Sequence, residues 1–135
     1  MGPLISIITV SFNSEKTIER TLKSVAAQTY KNIEHIVIDG ASTDGTVALI
    51  SKYVGSISYF CSEPDAGLYD AINKGLRIAK GDVIGLMHSD DFFADDCILA
   101  EIAEQFARSN VEGVYGDAAF FRPHSEVDPE FETSV

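Results

Sequence analysis

The sequence predicts an α/β fold in which helices flank an open, mostly parallel sheet. Short apolar, β-branched segments alternate with segments whose apolar residues recur at helical spacing. Loops rich in glycine, serine and aspartate separate them. Strands that alternate with helices form parallel sheets through right-handed crossovers. In a chain of 135 residues, we expect one domain over residues 1–121 whose sheet ends after about the fifth strand.

The first half of the chain contains two predicted pairs of strand and helix. The strands cover residues 4–10 and 33–39, which are apolar runs typical of buried parallel strands. The first helix is predicted from about Glu15, with Ser14 available as its cap. The second helix follows the turn residues that end at Gly45.

The second half contains three more predicted strands, at residues 57–61, 82–87 and 111–121. Helices are predicted between them, over residues 68–79 and 98–108. Two glycines in the last segment weaken its strand pattern.

The chain end differs in composition from the rest. Residues 122–135 hold two prolines and four acids without periodicity, which predicts a loop or a disordered tail. No apolar run approaches the roughly 18 residues that cross a membrane. The N-terminus lacks the pattern of a secretory signal, and Cys61 and Cys97 form no CxxC motif. We therefore expect buried free thiols and a cytoplasmic location.

The charge balance restricts the class of ligand. Lysine and arginine number 10 against 21 acids, for a net charge of −11, which argues against nucleic acid as a partner. An acidic chain binds a polyanion only where backbone amides, a few cations or a bound metal offset the repulsion. A divalent cation is thus expected if the ligand carries phosphates.

Polar residues follow the predicted strands, where open α/β sheets bind ligands. Ser89, Asp90 and Asp91 follow an apolar strand, and adjacent carboxylates suit Mg²⁺ or Mn²⁺. They equally suit the positive end of the next helix, and spacing alone leaves both interpretations open. Asp39 ends a strand where it could accept a hydrogen bond from a base or sugar, or form an Asx turn. Asp44 is predicted to be a structural capping residue.

The absence of several well-known sequence motifs argues against common enzyme classes. No GxGxxG, P-loop or GxSxG sequence is present, which argues against nicotinamide cofactors, P-loop ATPases and serine hydrolases. A nucleotidyltransferase is a weaker hypothesis, since no Gly-rich loop with basic residues lies near the N-terminus.

Four segments in order carry a resemblance over roughly residues 4–120. They are ISIITVSFN at 5–13, IDGASTDGT at 38–46, SEPDAGLYDAINKG at 62–75 and AKGDVIGLMHSDD at 79–91. Together they resemble family 2 glycosyltransferases of the GT-A fold, a Rossmann-like fold of nucleotide-diphospho-sugar transferases. The resemblance implies inverting transfer of a sugar from a nucleotide-diphosphate-sugar, here a UDP-sugar, to an acceptor hydroxyl. It also implies a Mn²⁺ or Mg²⁺ cofactor, and a glycan or lipid-linked acceptor in polysaccharide or cell-envelope synthesis.

The resemblance assigns roles by position. Asp39 should read the base, Asp90 should meet the ribose or donor sugar, and Asp91 should hold the metal. The other implied donor-site residues fall into two groups, with Thr9, Val10, Ser11, Phe12 and Asn13 lining the nucleoside, and Asp65, Gly67, Asn73 and Lys74 edging the diphosphate and sugar.

Some positions have an alternative or depart from the family pattern. His88 stands where the family often has an aspartate, so it is either a further metal ligand or a packed histidine at a strand end. Asn73 and Lys74 equally suit a solvated helix face.

No catalytic base is assigned within this chain. In the resembled family the base comes from the half that follows the metal-binding turn. Asp117 is the only late acid at a predicted strand end, and the acids of the tail lack a scaffold. The alternative hypothesis is therefore a non-catalytic nucleotide-sugar-binding module. A homo-oligomer is also predicted, through an apolar face left uncovered.

Overall fold

The computed structural model describes residues 2–108, 112–115 and 119–123. Its sheet has six strands in the order β3-β2-β1-β4-β6-β5. Their bounds are β1 Ile5–Ser11, β2 Ile33–Asp39, β3 Tyr59–Ser62, β4 Val83–His88, β5 Gly113–Tyr115 and β6 Ala119–Phe121.

Four helices connect the strands. They are α1 Ile18–Ala26, α2 Thr46–Ser51, α3 Leu68–Ile78 and α4 Ile98–Arg108, and a single 3₁₀ turn at Val54–Ser56 precedes β3. No helix among the described residues is long and apolar enough to cross a membrane.

Strands β3, β2, β1 and β4 are parallel neighbours, so the predicted mostly parallel α/β sheet is confirmed. The predicted fifth strand over residues 111–121 is wrong. Two strands of three residues each replace it, and Tyr115 pairs with Ala119 in an antiparallel ladder. A single strand cannot pair with itself, and the glycines in this segment disfavour an uninterrupted strand. β6 then joins the sheet antiparallel to β4.

The core forms on both faces of β1, every residue of which is buried. Ile5 and Ile7 belong to one apolar cluster with α4, and Ile8 and Val10 to another with α3. The close approach of α3 depends on Gly75, because a Cβ there would lie 2.5 Å from Cγ2 of Ile8. Side chains that alternate along β1 thus pack helices on both faces, and the parallel pairing of β1 to β4 brings the carboxyl ends of these strands to one edge.

Several local predictions needed correction. α1 begins three residues later than expected, and the Ser14 side chain does not cap it, since its hydroxyl donates to the Phe12 carbonyl instead. Both thiols are free, but Cys61 is only half-buried and Cys97 is exposed. Asp117 and nearly all of the predicted tail, residues 124–135, lie outside the described residues.

Candidate functional site

A cleft of about 990 Å³ opens where β1, β2 and β4 end. Eight of the predicted site residues line it, namely Val10, Ser11, Phe12, Asn13, Asp65, Gly67, His88 and Asp90. The other lining residues are Ser14, Glu15, Lys16, Thr17, Gly40, Asp44, Leu68, Ala71 and Ser89. The cleft is thus lined by residues of all four sequence motifs. The motif at 38–46 contributes Gly40 and Asp44.

The loop after β1 forms one side of the cleft. Asn13 has a left-handed backbone, with φ of +47°, which asparagine tolerates better than most residues. Its side-chain carbonyl accepts a hydrogen bond from the Thr43 amide at 2.8 Å, and its own amide donates to the Ser42 hydroxyl at 2.8 Å. The Phe12 ring beside it is 62% exposed. The loop therefore presents an uncovered aromatic face on a rigid backbone.

Asp39 lies beneath this loop and is fully buried. Its carboxylate accepts hydrogen bonds from the hydroxyls of Ser11 (2.7 Å), Ser42 (2.6 Å) and Ser62 (2.8 Å). The Ser42 amide, three residues further along the chain, donates a fourth at 2.8 Å. Burial raises the pKa of Asp39, but these hydrogen bonds outweigh it, and the net pKa is lowered. Asp39 is therefore an oriented, ionised acceptor at the base of the cleft.

The turn after β4 forms the opposite side. The Asp91 carboxylate accepts one hydrogen bond, from the His88 amide at 3.1 Å. Within the part of the chain that the structure describes, the Asp90 carboxylate accepts none. His88 is exposed and lines the cleft, which excludes the alternative of a packed histidine. The turn therefore presents the Asp90 carboxylate and the His88 imidazole at the cleft, whereas Asp91 is half-buried and does not line it.

The cleft is strongly acidic. Glu15, Asp44, Asp65 and Asp90 line it, against Lys16 as a lining cation. The ion pairs found among residues 2–108, 112–115 and 119–123 involve none of these four acids. Asp44 is structural, as predicted, because it accepts the Thr46 amide at 2.9 Å. The remaining carboxylates would repel a phosphate unless a cation intervenes.

A divalent cation fits this donor set. Carboxylate oxygens with an optional imidazole suit Mg²⁺ or Mn²⁺, which keep several waters and share ligands with substrate phosphates. Across the described residues, one group of three has its ligand atoms within 4.8 Å of one another, and it is Asp95, Asp96 and Cys97 on the loop before α4. That group lies outside the cleft, and its thiol donates to Asp96. Asp90, Asp91 and His88 are not such a group among the described residues, so a cation bound there would have to keep waters or share ligand phosphates.

The loop before α3 closes the third side. The Asp65 carboxylate accepts the Gly67 amide at 3.1 Å, and Gly67 has φ of +115°, a conformation that side chains disfavour. A Cβ on Gly40 would lie 2.9 Å from the Asp65 carboxylate. Asp65 therefore lies directly over the end of β2.

Five predicted residues do not line the cleft, namely Asp39, Asp91, Thr9, Asn73 and Lys74. Asp39 and Asp91 directly precede or follow lining residues in sequence, whereas the other three are held elsewhere. Thr9 is fully buried, and its hydroxyl bonds the His35 ring at 2.8 Å. Asn73 has a side-chain oxygen that is buried without a partner among the described residues. Lys74 lies 3.1 Å from the Glu63 carboxylate and lines a separate cavity of about 140 Å³. The geometry gives these three no contact with a ligand in the cleft.

Sequence reasoning also missed residues. It did not select Lys16, although this lysine closely follows the first motif. Nor did it select Ser42 and Ser62 or pair Ser11 with Asp39, although the register of β1, β2 and β3 brings Ser11, Asp39 and Ser62 together.

The chain matches the model of glycosyl transferase family 2 over residues 6–130. An uncharacterized glycosyltransferase of Mycobacterium tuberculosis is 47% identical over 104 residues, 76% of this chain and 40% of the relative. The UDP-Glc:alpha-D-GlcNAc-diphosphoundecaprenol beta-1,3-glucosyltransferase WfaP of Escherichia coli is 37% identical over 114 residues, 83% of this chain and 43% of the relative. The chain therefore spans about two fifths of these relatives' length.

Solved structures agree on the fold. The mannosyltransferase PcManGT of Pyrobaculum calidifontis, in complex with GDP-Man and Mn²⁺, superposes with a TM-score of 0.82 at 21% identity, over 90% of this chain and 45% of that one. S. aureus TarS in complex with UDP gives a TM-score of 0.75 at 26% identity, over 81% and 33%. The sheet, its acidic cleft and the family match lead to one conclusion: this chain belongs to glycosyl transferase family 2 and has the GT-A fold.

Proposed function

We propose that this chain carries the donor and metal site of an inverting glycosyltransferase, which moves a sugar from a UDP-sugar to a hydroxyl of a glycan or lipid-linked acceptor. The observation that carries the proposal is the acidic cleft itself. Its one side presents Phe12 above buried Asp39, and its other side presents the turn of Asp90 and Asp91. A nucleoside diphosphate needs both kinds of contact at once.

The nucleoside occupies the side formed by residues 10–13. The exposed Phe12 ring packs against a base or ribose, and the ionised Asp39 accepts a hydrogen bond from a base N–H. Because four donors already fix the Asp39 carboxylate, a base N–H reaches it by replacing one of the serine hydroxyls. Asp65 and Gly67 border the diphosphate, and Asp90 meets the ribose or donor sugar.

Asp91 holds the divalent metal, Mn²⁺ or Mg²⁺, with His88 as a further ligand. When bound, the metal neutralises the charge that develops on the departing diphosphate. Lys16 adds a positive charge to the same cleft, and the hydrogen bond from the His88 amide orients the Asp91 carboxylate on the turn. The chain's own residues thus bind the donor and orient its diphosphate.

The proposals about the sugar donor and about the biosynthetic role are based on the related proteins. The E. coli relative is named for UDP-Glc and a diphosphoundecaprenol acceptor, and a TarS structure contains UDP. These support a UDP-sugar donor and a role in cell-envelope glycan synthesis. The acceptor site and the catalytic base are assigned to no described residue of this chain.

Titration calorimetry with UDP tests the proposal, with and without Mn²⁺. We expect binding that Mn²⁺ strengthens by about tenfold or more, and an Asp91→Asn variant that loses this gain. Asp96→Asn is the matched control, because it removes the same charge from the exposed group outside the cleft. Absence of UDP binding under every condition, or an equal loss in Asp96→Asn, would contradict the donor-site assignment.

Catalysis requires a second measurement. Acceptor-dependent release of UDP from a protein that also contains the segment following this chain in its relatives supports a transferase. UDP-sugar binding without any turnover in that longer protein supports the non-catalytic binding module instead.

A further inference from the structure

Helix α1 turns a polar stripe toward the loop that carries the Asp90–Asp91 turn. Thr21 and Ser24, three residues apart, lie on one face of α1, and Gln28 continues this polar stripe two residues beyond the helix end. Thr21 is fully buried and Gln28 is 1% exposed. The stripe lies beside the apolar residues of α1, and none of its members lines the cleft.

The stripe contacts backbone rather than side chains. The Thr21 hydroxyl donates to the carbonyls of Ser89, at 3.0 Å, and Asp91. The Ser24 hydroxyl accepts from the Phe93 amide at 3.1 Å. These bonds reach the turn itself and Phe93, two residues after it.

Gln28 fixes the rest of the same loop. Its side-chain amide donates to the Asp95 carbonyl at 2.7 Å, and its side-chain carbonyl accepts from the Leu99 amide at 3.0 Å. Buried backbone groups need such partners, because an unpaired one costs free energy. α1 and the residue two positions after its end therefore contact the path from β4 to α4 at its start, its middle and its end.

Thr21 differs from the other members of the stripe because its partners flank Asp90. Its hydroxyl draws the carbonyls of Ser89 and Asp91 toward α1, while Asp90 is exposed and lines the cleft. The Ser14 hydroxyl lies 2.7 Å from that of Ser89 and links the turn to the loop after β1. The direction of the Asp90 and Asp91 carboxylates thus depends on a hydroxyl that touches no ligand.

We infer that Thr21 is a positioning residue that sets the affinity of the cleft for its divalent cation. The inference rests on the proposed function, because it assumes that Asp91 holds the cation. Loss of a group that orients metal ligands typically lowers metal affinity by about 10- to 100-fold. Thr21 should therefore affect metal-dependent binding and leave metal-independent binding of the nucleotide unchanged.

Three variants of the 135-residue chain test this. Thr21→Val and Thr21→Ala both remove the hydroxyl, and Thr21→Ala does so without placing a methyl group against the two carbonyls. Thr21→Ser keeps the hydroxyl. With saturating UDP, we expect the apparent Kd for Mn²⁺ to rise at least about tenfold in the first two and to stay within about threefold in Thr21→Ser.

Ser6→Ala is the control for loss of a buried hydroxyl. Ser6 is fully buried, and its hydroxyl bonds the Glu34 carboxylate and the Gly81 amide at the opposite end of β1. It should reduce stability without changing the Kd for Mn²⁺. Equal metal affinity in wild type, Thr21→Val and Thr21→Ala would overturn the inference, as would an equal metal defect in Ser6→Ala.

Amide hydrogen exchange separates this inference from the proposed function, because it needs no nucleotide. Exchange at residues 88–93 should accelerate in Thr21→Val and Thr21→Ala and stay unchanged in Thr21→Ser and Ser6→Ala. Unchanged exchange in all variants overturns the positioning role even if wild type binds UDP and Mn²⁺. A wild type that binds UDP without any effect of Mn²⁺ overturns the metal assignment and, with it, the metal role of Thr21.

Discussion

The two acidic sides of the cleft are built in opposite ways. Asp39 is fully buried, and four hydrogen bonds fix its carboxylate. Asp90 and Asp91 share an exposed turn, and among the described residues their carboxylates accept a single hydrogen bond, from the His88 amide. One side is therefore complete in the protein alone, whereas the carboxylates of the other side form no ion pair among the described residues.

The difference indicates two kinds of recognition. A carboxylate that is held by three hydroxyls keeps one orientation, which suits a directional contact such as a base N–H. A pair of carboxylates without basic partners favours a cation, whose position the ligand phosphates can complete. The two sides should therefore differ in their contribution to stability as well as in their role.

Alanine substitutions at the two sides of the cleft should differ most in their effect on the free energy of unfolding. Asp39→Ala should lower the free energy of unfolding by about 4 kcal/mol, since four donors lose their acceptor at about 1–3 kcal/mol for each buried one. Asp90→Ala should stay within about 0.5 kcal/mol, as for other exposed substitutions. Urea denaturation of both variants measures this. Similar losses in the two would contradict the contrast between a complete and an incomplete side.

The pH dependence of stability separates two buried groups, because the imidazole of His35 and the carboxylate of Asp39 lose their contributions over different pH ranges. Burial lowers the pKa of His35 from 6.5 to about 4. The folded pKa lies below the unfolded one, so the contribution of His35 is present above pH 6.5 and is lost as pH falls toward 4. Its size is about 3 kcal/mol. Asp39, whose pKa is lowered, loses its contribution only below its unfolded pKa of 3.8.

Urea denaturation between pH 7 and pH 4 tests the His35 contribution. His35→Gln keeps a polar partner for the Thr9 hydroxyl but does not titrate, so its stability should fall less steeply over this range than that of wild type. Parallel pH curves for the two proteins would show that His35 is protonated in the fold and would assign the loss to carboxylates.

Much of the fold could be predicted from sequence pattern, because whether a segment forms a strand or a helix depends largely on the residues of that segment. The β-branched runs predicted β1 and β2 within one residue of their ends, and the helical spacing of residues 98–108 predicted α4 as found. The last predicted strand failed because three residues of strand on each side of a reversal have the same composition as one longer strand. Pattern alone does not detect the reversal.

The site was only partly predictable because it depends on register and on distant contacts. Ser11, Asp39 and Ser62 are adjacent only since β1, β2 and β3 align them side by side. A prediction of register would have found this set, as parallel strands place equivalent positions together. Thr21 gave no such signal, because its partners are carbonyls 68 and 70 residues away.

The smallest expected effect concerns the lysines at and beyond the edge of the cleft. Lys74 was predicted to border the diphosphate, but its amine lies 3.1 Å from the Glu63 carboxylate and 3.8 Å from that of Asp70, which offset its charge. Lys16 lines the cleft and forms no ion pair within the described part of the chain. Lys16→Met should weaken UDP binding by roughly fivefold, and Lys74→Met by less than about twofold, since one exposed charge contributes up to about 1 kcal/mol. Calorimetry at low and at physiological salt measures both, and salt should reduce the Lys16 effect. If Lys74→Met weakens binding as much as Lys16→Met does, then the start of α3 belongs to the donor site and Lys74 moves from Glu63 to the diphosphate on binding.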